Sequence, residues 1–256
     1  MISIFPSRTI FLQIAGLQIH WYGVMYLLAF VMAFILVRRL QKYRSLYLDS
    51  EEWSYILSWA IIGVLVGGRL GYVLFYEPMY FLLNPLDIFA VWKGGMSSHG
   101  GFVGVALAMW WAASRHNIPI WKLADIVVVP IAIGLSFGRL GNYINYELYG
   151  TVTTLPWGIA IPGVEGLRHP TQLYAVIKDL LIAGICFYHI SRTAPILPGR
   201  TFALFLMLYG GLRFLTEFVR AQQYELFLGL SRGQLYTIPI FLIGVFLWFW
   251  LKKRRQ

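Results

Sequence analysis

Three arginines sit inside stretches apolar enough to cross a membrane. Arg69 lies in Gly67-Gly68-Arg69-Leu70-Gly71, Arg139 in Gly138-Arg139-Leu140-Gly141, and Arg213 follows Gly210-Gly211-Leu212. A charge near the hydrocarbon centre costs at least about 2.5–3.5 kcal/mol on insertion scales, so such a residue faces a protein interior or a polar cavity. The glycines beside each one remove bulk and let a neighbouring helix or a ligand approach the backbone. A guanidinium grips phosphate through a bidentate fork that lysine cannot copy. Three guanidinium groups at similar depth therefore suggest one shared anionic partner, and a phospholipid headgroup is the obvious one. The competing reading is structural: each arginine snorkels or pairs with a carboxylate. Glu217 stands four residues from Arg213, and Glu77 and Glu147 are further candidates.

His99 has a different setting, in Gly94-Gly95-Met96-Ser97-Ser98-His99-Gly100-Gly101. An imidazole with glycine neighbours is sterically free and is the natural proton acceptor near neutral pH. The run from Gly138 to Glu147 brings Arg139, Asn142 and Glu147 within reach of one another at a membrane boundary. His20, Trp21 and Tyr22 open the first apolar stretch as interface aromatics. His99, His116, His169 and His189 fall on different segments, so no metal constellation is expected. No Gly-x-Ser-x-Gly elbow occurs.

These residues need elements to hold them, and the composition says which. Of 256 residues, 59% are hydrophobic and 12% charged, whereas a soluble domain is roughly 45–50% apolar and about 25% charged. Seven stretches near 19–37, 53–75, 97–114, 123–141, 172–190, 201–219 and 235–251 are candidate transmembrane helices. The third and fourth are interrupted by glycines and polar residues. The expected class is all-α, a polytopic membrane protein forming one domain over 1–256. The segment 141–170, rich in Tyr, Gly, Pro and Thr, is expected to be a small cap on the membrane surface. No cleavable signal pattern is visible, since the first apolar stretch begins near Ile19 and is long enough to remain as a span.

The net charge of +10 does not point to nucleic acid, because the cations fall in short blocks beside apolar runs. Arg38, Arg39, Lys42 and Arg44 form one block and Lys252 to Arg255 another, as anchors facing anionic lipid do. With the amino terminus outside and the carboxy terminus inside, the inner face holds 12 cations and the outer face five. That asymmetry sets the expected orientation. Arg69, Arg139 and Arg213 then all fall in the outer parts of spans two, four and six. Lys178 lies on an odd-numbered span and has no assigned role. The single cysteine, Cys186, excludes a disulfide framework.

The run Gly138-Arg139-Leu140-Gly141-Asn142-Tyr143-Ile144-Asn145-Tyr146-Glu147-Leu148-Tyr149-Gly150 closely resembles the signature of the bacterial prolipoprotein diacylglyceryl transferases. His20-Trp21-Tyr22-Gly23, the 94–101 loop, His169-Pro170-Thr171-Gln172-Leu173-Tyr174, and Tyr209-Gly210-Gly211-Leu212-Arg213 through Glu217 and Arg220 resemble further blocks in family order. The resemblance implies seven transmembrane helices in the bacterial inner membrane, with the active site opening to the outer leaflet. It implies transfer of the diacylglyceryl group of phosphatidylglycerol to the lipobox cysteine thiol of a prolipoprotein, with release of glycerol phosphate and no cofactor. By the same matching, His99, Arg139 and Arg213 fall on catalytic positions. Tyr22, Asn142, Glu147, Gly150 and Tyr209 fall on positions that bind or orient substrate, and Arg69 joins them by its depth. A lipid transporter or another lipid-modifying membrane enzyme, such as a phosphatase or protease, is the alternative class.

Overall fold

Apolar runs set the helices, and local polar signals set where they begin. The computed structural model describes residues 2–4, 7–192, 197–222 and 226–253. Among these residues eight α-helices follow in order: α1 (Trp21–Leu40), α2 (Ser50–Phe75), α3 (Pro78–Leu83), α4 (Ser98–Arg115), α5 (Ile120–Ile144), α6 (Thr171–Arg192), α7 (Arg200–Thr216) and α8 (Arg232–Lys253). Asp49 starts α2 with a capping box. Its carboxylate accepts from Glu52 N, and the Glu52 carboxylate accepts from Asp49 N, both at 2.9 Å; such a cap stabilises by about 1 kcal/mol. Ser97 starts α4 by accepting from Gly100 N at 3.3 Å.

Among the described residues, six helical segments are long and apolar enough to cross a membrane: 21–44, 50–75, 120–144, 171–192, 200–219 and 232–253. The expected third stretch, 97–114, is α4, which opens on Ser-His-Gly-Gly and is not among the six. Large apolar side chains project outward from these helices, with Leu27 63%, Leu65 50%, Leu181 53% and Leu242 57% exposed. In water such a surface would aggregate, whereas in hydrocarbon it is the solvated one. The chain is an all-α polytopic membrane protein.

The backbone divides into two compact units, residues 46–123 and residues 1–45 with 124–256. In the first, α2 and α4 meet along a glycine seam. A Cβ on Gly67 would lie 2.4 Å from the Gly100 carbonyl oxygen, and one on Gly104 would lie 2.1 Å from that of Gly63. No side chain fits there, which is the small-residue packing that brings membrane helices into backbone contact.

In the second unit, α7 and α8 cross in the same way, Gly210 against the Phe241 backbone and Gly244 against Met207. The start of α7 is tied to the turn after α1 by Asp125 of α5, which is fully buried. It accepts from Arg44 Nε at 2.7 Å, Gly199 N at 2.9 Å and Phe202 N at 2.9 Å. Arg44 also donates to Thr201 Oγ1 at 2.7 Å. Arg44 is thus an internal tie, 5% exposed, where the sequence suggested a lipid-facing anchor. Unpaired, that buried charge would be prohibitive; Asp125 makes it tolerable. Arg254 and Arg255 lie outside the described residues.

Two small sheets accompany the helices. β1 (Ile2–Ile4), β2 (Ile10–Ile14) and β3 (Leu17–His20) form an antiparallel sheet in that order. The two-residue turn between Ile14 and Leu17 has positive φ at Ala15 and Gly16, as tight hairpins require. β4 (Ile159–Ala160) pairs with β5 (Leu167–Arg168) in the segment that follows α5.

Candidate active site

The last turns of α5 carry Arg139 and Asn142 three residues apart, and so on one helix face. Arg139 Nη1 donates to Asn142 Oδ1 at 3.3 Å. The Asn142 amide donates to the Tyr22 hydroxyl and, at 3.0 Å, to Glu147 Oε2. Tyr22 donates to the same carboxylate oxygen at 3.1 Å, and Asn145 Nδ2 reaches Glu147 Oε1 at 3.3 Å. Glu147 therefore meets Arg139 through Asn142, not directly.

The chain turns sharply after α5, with positive φ at the non-glycine residues Tyr146 (58°) and Leu148 (55°). Such strain, about 1–3 kcal/mol per residue, persists only where the surroundings enforce it. Here the first turn of α6 does so: Gln172 Nε2 donates to Glu147 O at 2.6 Å, and Thr171 Oγ1 to Leu148 O at 2.7 Å. From the other side, Arg8 donates to the Ile144 and Tyr143 carbonyls at 2.7 and 3.2 Å and to the Tyr146 hydroxyl at 2.6 Å. Its guanidinium lies 3.7 Å over the Tyr146 ring. A cation on the last carbonyls of a helix is also favoured by the helix dipole.

A pocket opens beside this turn. Arg139 and Asn142 of α5, Thr171 and Gln172 of α6, Arg213 and Thr216 of α7, and Arg220 line it. Glu217, 3% exposed, holds two of these arginines. Its Oε2 meets Arg213 Nη2 at 2.8 Å and its Oε1 meets Arg220 Nη1 at 3.4 Å. Gly233 presses on this carboxylate so closely that a Cβ there would be 2.5 Å from Oε1. Three guanidinium groups line the pocket and Glu217 meets only two of them, so the surplus of N–H donors suits an anion with several oxygens, such as a phosphate ester.

The other expected site residues fall as follows. Gly150 packs where no side chain fits: a Cβ would lie 2.5 Å from His169 Cβ and 2.6 Å from the Val219 carbonyl oxygen. Its own N–H donates to His169 O at 2.8 Å. Tyr209 lies on α7 one turn before Arg213, stacked on Phe205 at 5.8 Å and covered by Lys178 Nζ 4.6 Å above its ring. Lys178, unassigned from sequence, is paired with its buried neighbour Asp179. His99 is exposed in the first turn of α4.

Arg69 differs from its two counterparts. Its five N–H donors go to the carbonyls of Asp87, Ile88, Ala90, Gly94 and Gly95, which leaves none for a phosphate. The third guanidinium of the pocket is Arg220. The sequence named Arg220 at the end of the block that begins at Tyr209 but gave it no role at the site, although its spacing from Arg213 and Glu217, seven and three residues, was a helical one. Arg8 left no comparable signal. Among the described residues, no three His, Cys, Asp or Glu side chains gather as a metal site.

Residues 9–250 match the family model described as prolipoprotein diacylglyceryl transferase. The chain belongs to this family. Proteins named phosphatidylglycerol–prolipoprotein diacylglyceryl transferase are similar over nearly the whole length. The one from Polynucleobacter asymbioticus is 43% identical over 92% of this chain and 93% of its own length. That from Geobacter sulfurreducens is 44% identical over 92% of each, and that from Bordetella avium 41% over 96% and 94%. In this diacylglyceryl transferase family member, the matched span takes in the Arg139–Asn142–Tyr22–Glu147 network, the arginine pocket and the Arg69 loop alike.

Proposed function

We propose that this chain transfers the diacylglyceryl group of phosphatidylglycerol to the lipobox cysteine thiol of a prolipoprotein, the first step of lipoprotein maturation. The observation that carries the reading is the convergence of Arg139, Arg213 and Arg220 on one pocket beside the Glu147–Asn142–Tyr22 network. Membership in the transferase family supplies the reaction.

In this reading Arg139 and Arg213 fork onto the phosphate of the lipid, and Arg220 adds a third guanidinium. Glu217 keeps Arg213 and Arg220 apart and aimed. Tyr22, Asn142, Glu147 and Tyr209 orient the oxygens of the lipid. The acceptor sulfur, as thiolate, attacks the glyceryl carbon. A carbon–sulfur bond forms, the carbon–oxygen bond to phosphate breaks, and its electron pair leaves on glycerol phosphate. Arginines already on the phosphate stabilise the charge that grows there. His99 takes the thiol proton as general base. Because a free thiol titrates near about 8.5, the same arginines favour the thiolate electrostatically. No cofactor takes part.

The chain would lie in the bacterial inner membrane as one multi-pass domain over 1–256. α4 adds a seventh crossing, the amino terminus is outside, the carboxy terminus is cytoplasmic, and the cap at 141–170 covers a site open to the outer leaflet. The excess of cations on the inner face supports this orientation. The test supplies purified protein with acyl-labelled phosphatidylglycerol and a lipobox peptide. Label appearing on the cysteine in a thioether, with glycerol phosphate released, is expected; no transfer overturns the reading.

A further inference from the structure

We infer that Arg69 is a positioning residue, which fixes the loop before α4 and so sets where His99 stands; this rests on the reading of His99 as the base. A guanidinium has five N–H donors and no acceptor. Here Nε donates to Ile88 O at 2.8 Å, Nη1 to Gly94 O at 2.5 Å and Gly95 O at 3.0 Å, and Nη2 to Asp87 O at 2.5 Å and Ala90 O at 3.3 Å. The side chain, 6% exposed, is filled to capacity by backbone oxygens. A buried charge in a membrane protein needs such partners. The loop needs the cation as much, since residues 85–93 form only short 3-10 turns that would not by themselves gather those carbonyls at one point.

The loop leads directly into the histidine. Gly94, with φ 82° and ψ −158°, adopts a conformation open only to glycine. Gly95 is pressed onto α2, where a Cβ would lie 2.6 Å from the Tyr72 ring and 2.9 Å from Arg69 Nη1. Two residues later Ser97 N donates to the carbonyl of Gly68, the residue before Arg69, at 2.8 Å. Ser97 Oγ then caps the turn of α4 that bears His99. Gly68 and Arg69 on α2 therefore pin both the loop and its exit. A base must stand within hydrogen-bond reach of its proton, and a displacement of about 1 Å costs about a hundredfold. Lysine, with three donors on one nitrogen, cannot reach five carbonyls spread around a planar fork.

The test measures transfer from phosphatidylglycerol to a lipobox peptide for full-length Arg69→Lys and Gly94→Ala, each alone and combined with His99→Gln. The Gly94 change keeps the arginine side chain and fills no occupied space, but alanine cannot hold the φ of 82°, so the loop and the Gly94 carbonyl that Arg69 bonds must shift. Both single variants are expected to lower kcat about tenfold or more, with KM for the lipid within about twofold. Added to His99→Gln, either is expected to change kcat by less than about twofold, because its effect runs through the histidine. An Arg69→Lys loss appearing in KM for the lipid would mark a headgroup contact and overturn the inference. Losses that simply multiply with His99→Gln would overturn it too. Full turnover by His99→Gln alone would instead refute the base assignment. The positioning claim then stands or falls on the rate at which diethyl pyrocarbonate modifies His99, followed by peptide mass spectrometry. Arg69→Lys is expected to change that rate at least about threefold, and an unchanged rate overturns the inference.

Discussion

Asn142 donates its side-chain amide to the Tyr22 hydroxyl across 120 positions of sequence, joining the last turn of α5 to the first turn of α1. Both groups also bond Glu147 Oε2, so the three side chains form a closed triangle with Arg139 attached at the asparagine. Each member fixes the other two, and the buried one, Asn142, holds the half-buried Tyr22 against the exposed Glu147.

Tyr22→Phe and Asn142→Ala are therefore expected to be strongly non-additive. Each alone should lower transfer by about tenfold or more, because each breaks a link in the network that aims Arg139 and Glu147. The double variant should be little worse than Asn142→Ala. A double-mutant cycle on kcat/KM measures this, and independent, multiplying losses would show that the triangle does not act as a unit.

Gly150→Ala is expected to fail through packing rather than chemistry. Its added methyl would meet His169 Cβ at 2.5 Å and the backbone oxygen of Val219 at 2.6 Å. Backbone cannot yield as a flexible side chain can, so about 1–3 kcal/mol of destabilisation is expected from overpacking. Thermal unfolding in detergent should show a lowered midpoint together with lost transfer. Lost transfer with an unchanged midpoint would argue that Gly150 contacts substrate.

Glu217→Gln removes the carboxylate that holds both Arg213 and Arg220 while keeping the shape of the side chain. The two guanidinium groups then lose their fixed separation, and KM for phosphatidylglycerol is expected to rise about fivefold or more. The comparison is a lipid titration at saturating peptide. A fall in kcat at constant KM would place Glu217 in the chemical step instead.

How much of this was legible beforehand depends on how local each relationship is. Arg139, Asn142 and Glu147 lie within nine residues of sequence, and Arg213 pairs with Glu217 at helical i,i+4 spacing, so residue spacing alone brings them together. Arg69 carried the same outward signs as Arg139: glycine neighbours, an apolar stretch and a similar depth. What separates them is the conformation of an irregular loop 18 to 26 residues further on, and carbonyl oxygens leave no mark in a sequence. Arg8 was hidden for the same reason, its targets being the carbonyls at the end of α5, more than 130 residues away. Lys178 and Asp179 are adjacent, a spacing that does not normally bring side chains together on a helix. In apolar surroundings the pairing of the two charges prevails over that geometric preference. The strands β1 to β3 are too short for their alternation to stand out beside the long apolar runs.

The glycine seam makes a separate prediction. Gly67→Ala would place a methyl 2.4 Å from the Gly100 carbonyl oxygen and force α2 and α4 apart. The expected result is a folded yield in detergent reduced at least about threefold, whereas Gly101→Ala, whose nearest neighbour would be 3.7 Å away, should be tolerated. Size-exclusion profiles of the two variants, expressed side by side, check this.

The central claim is that Arg139 and its pocket grip the phosphate of phosphatidylglycerol. It is tested most directly by transfer of labelled diacylglyceryl to a lipobox peptide by Arg139→Lys and Arg139→Ala, with thermal unfolding confirming that both are folded. The expected result is activity reduced at least about a hundredfold in the alanine variant and barely recovered by lysine, because a point charge lacks the fork. Full activity in folded Arg139→Ala would contradict it.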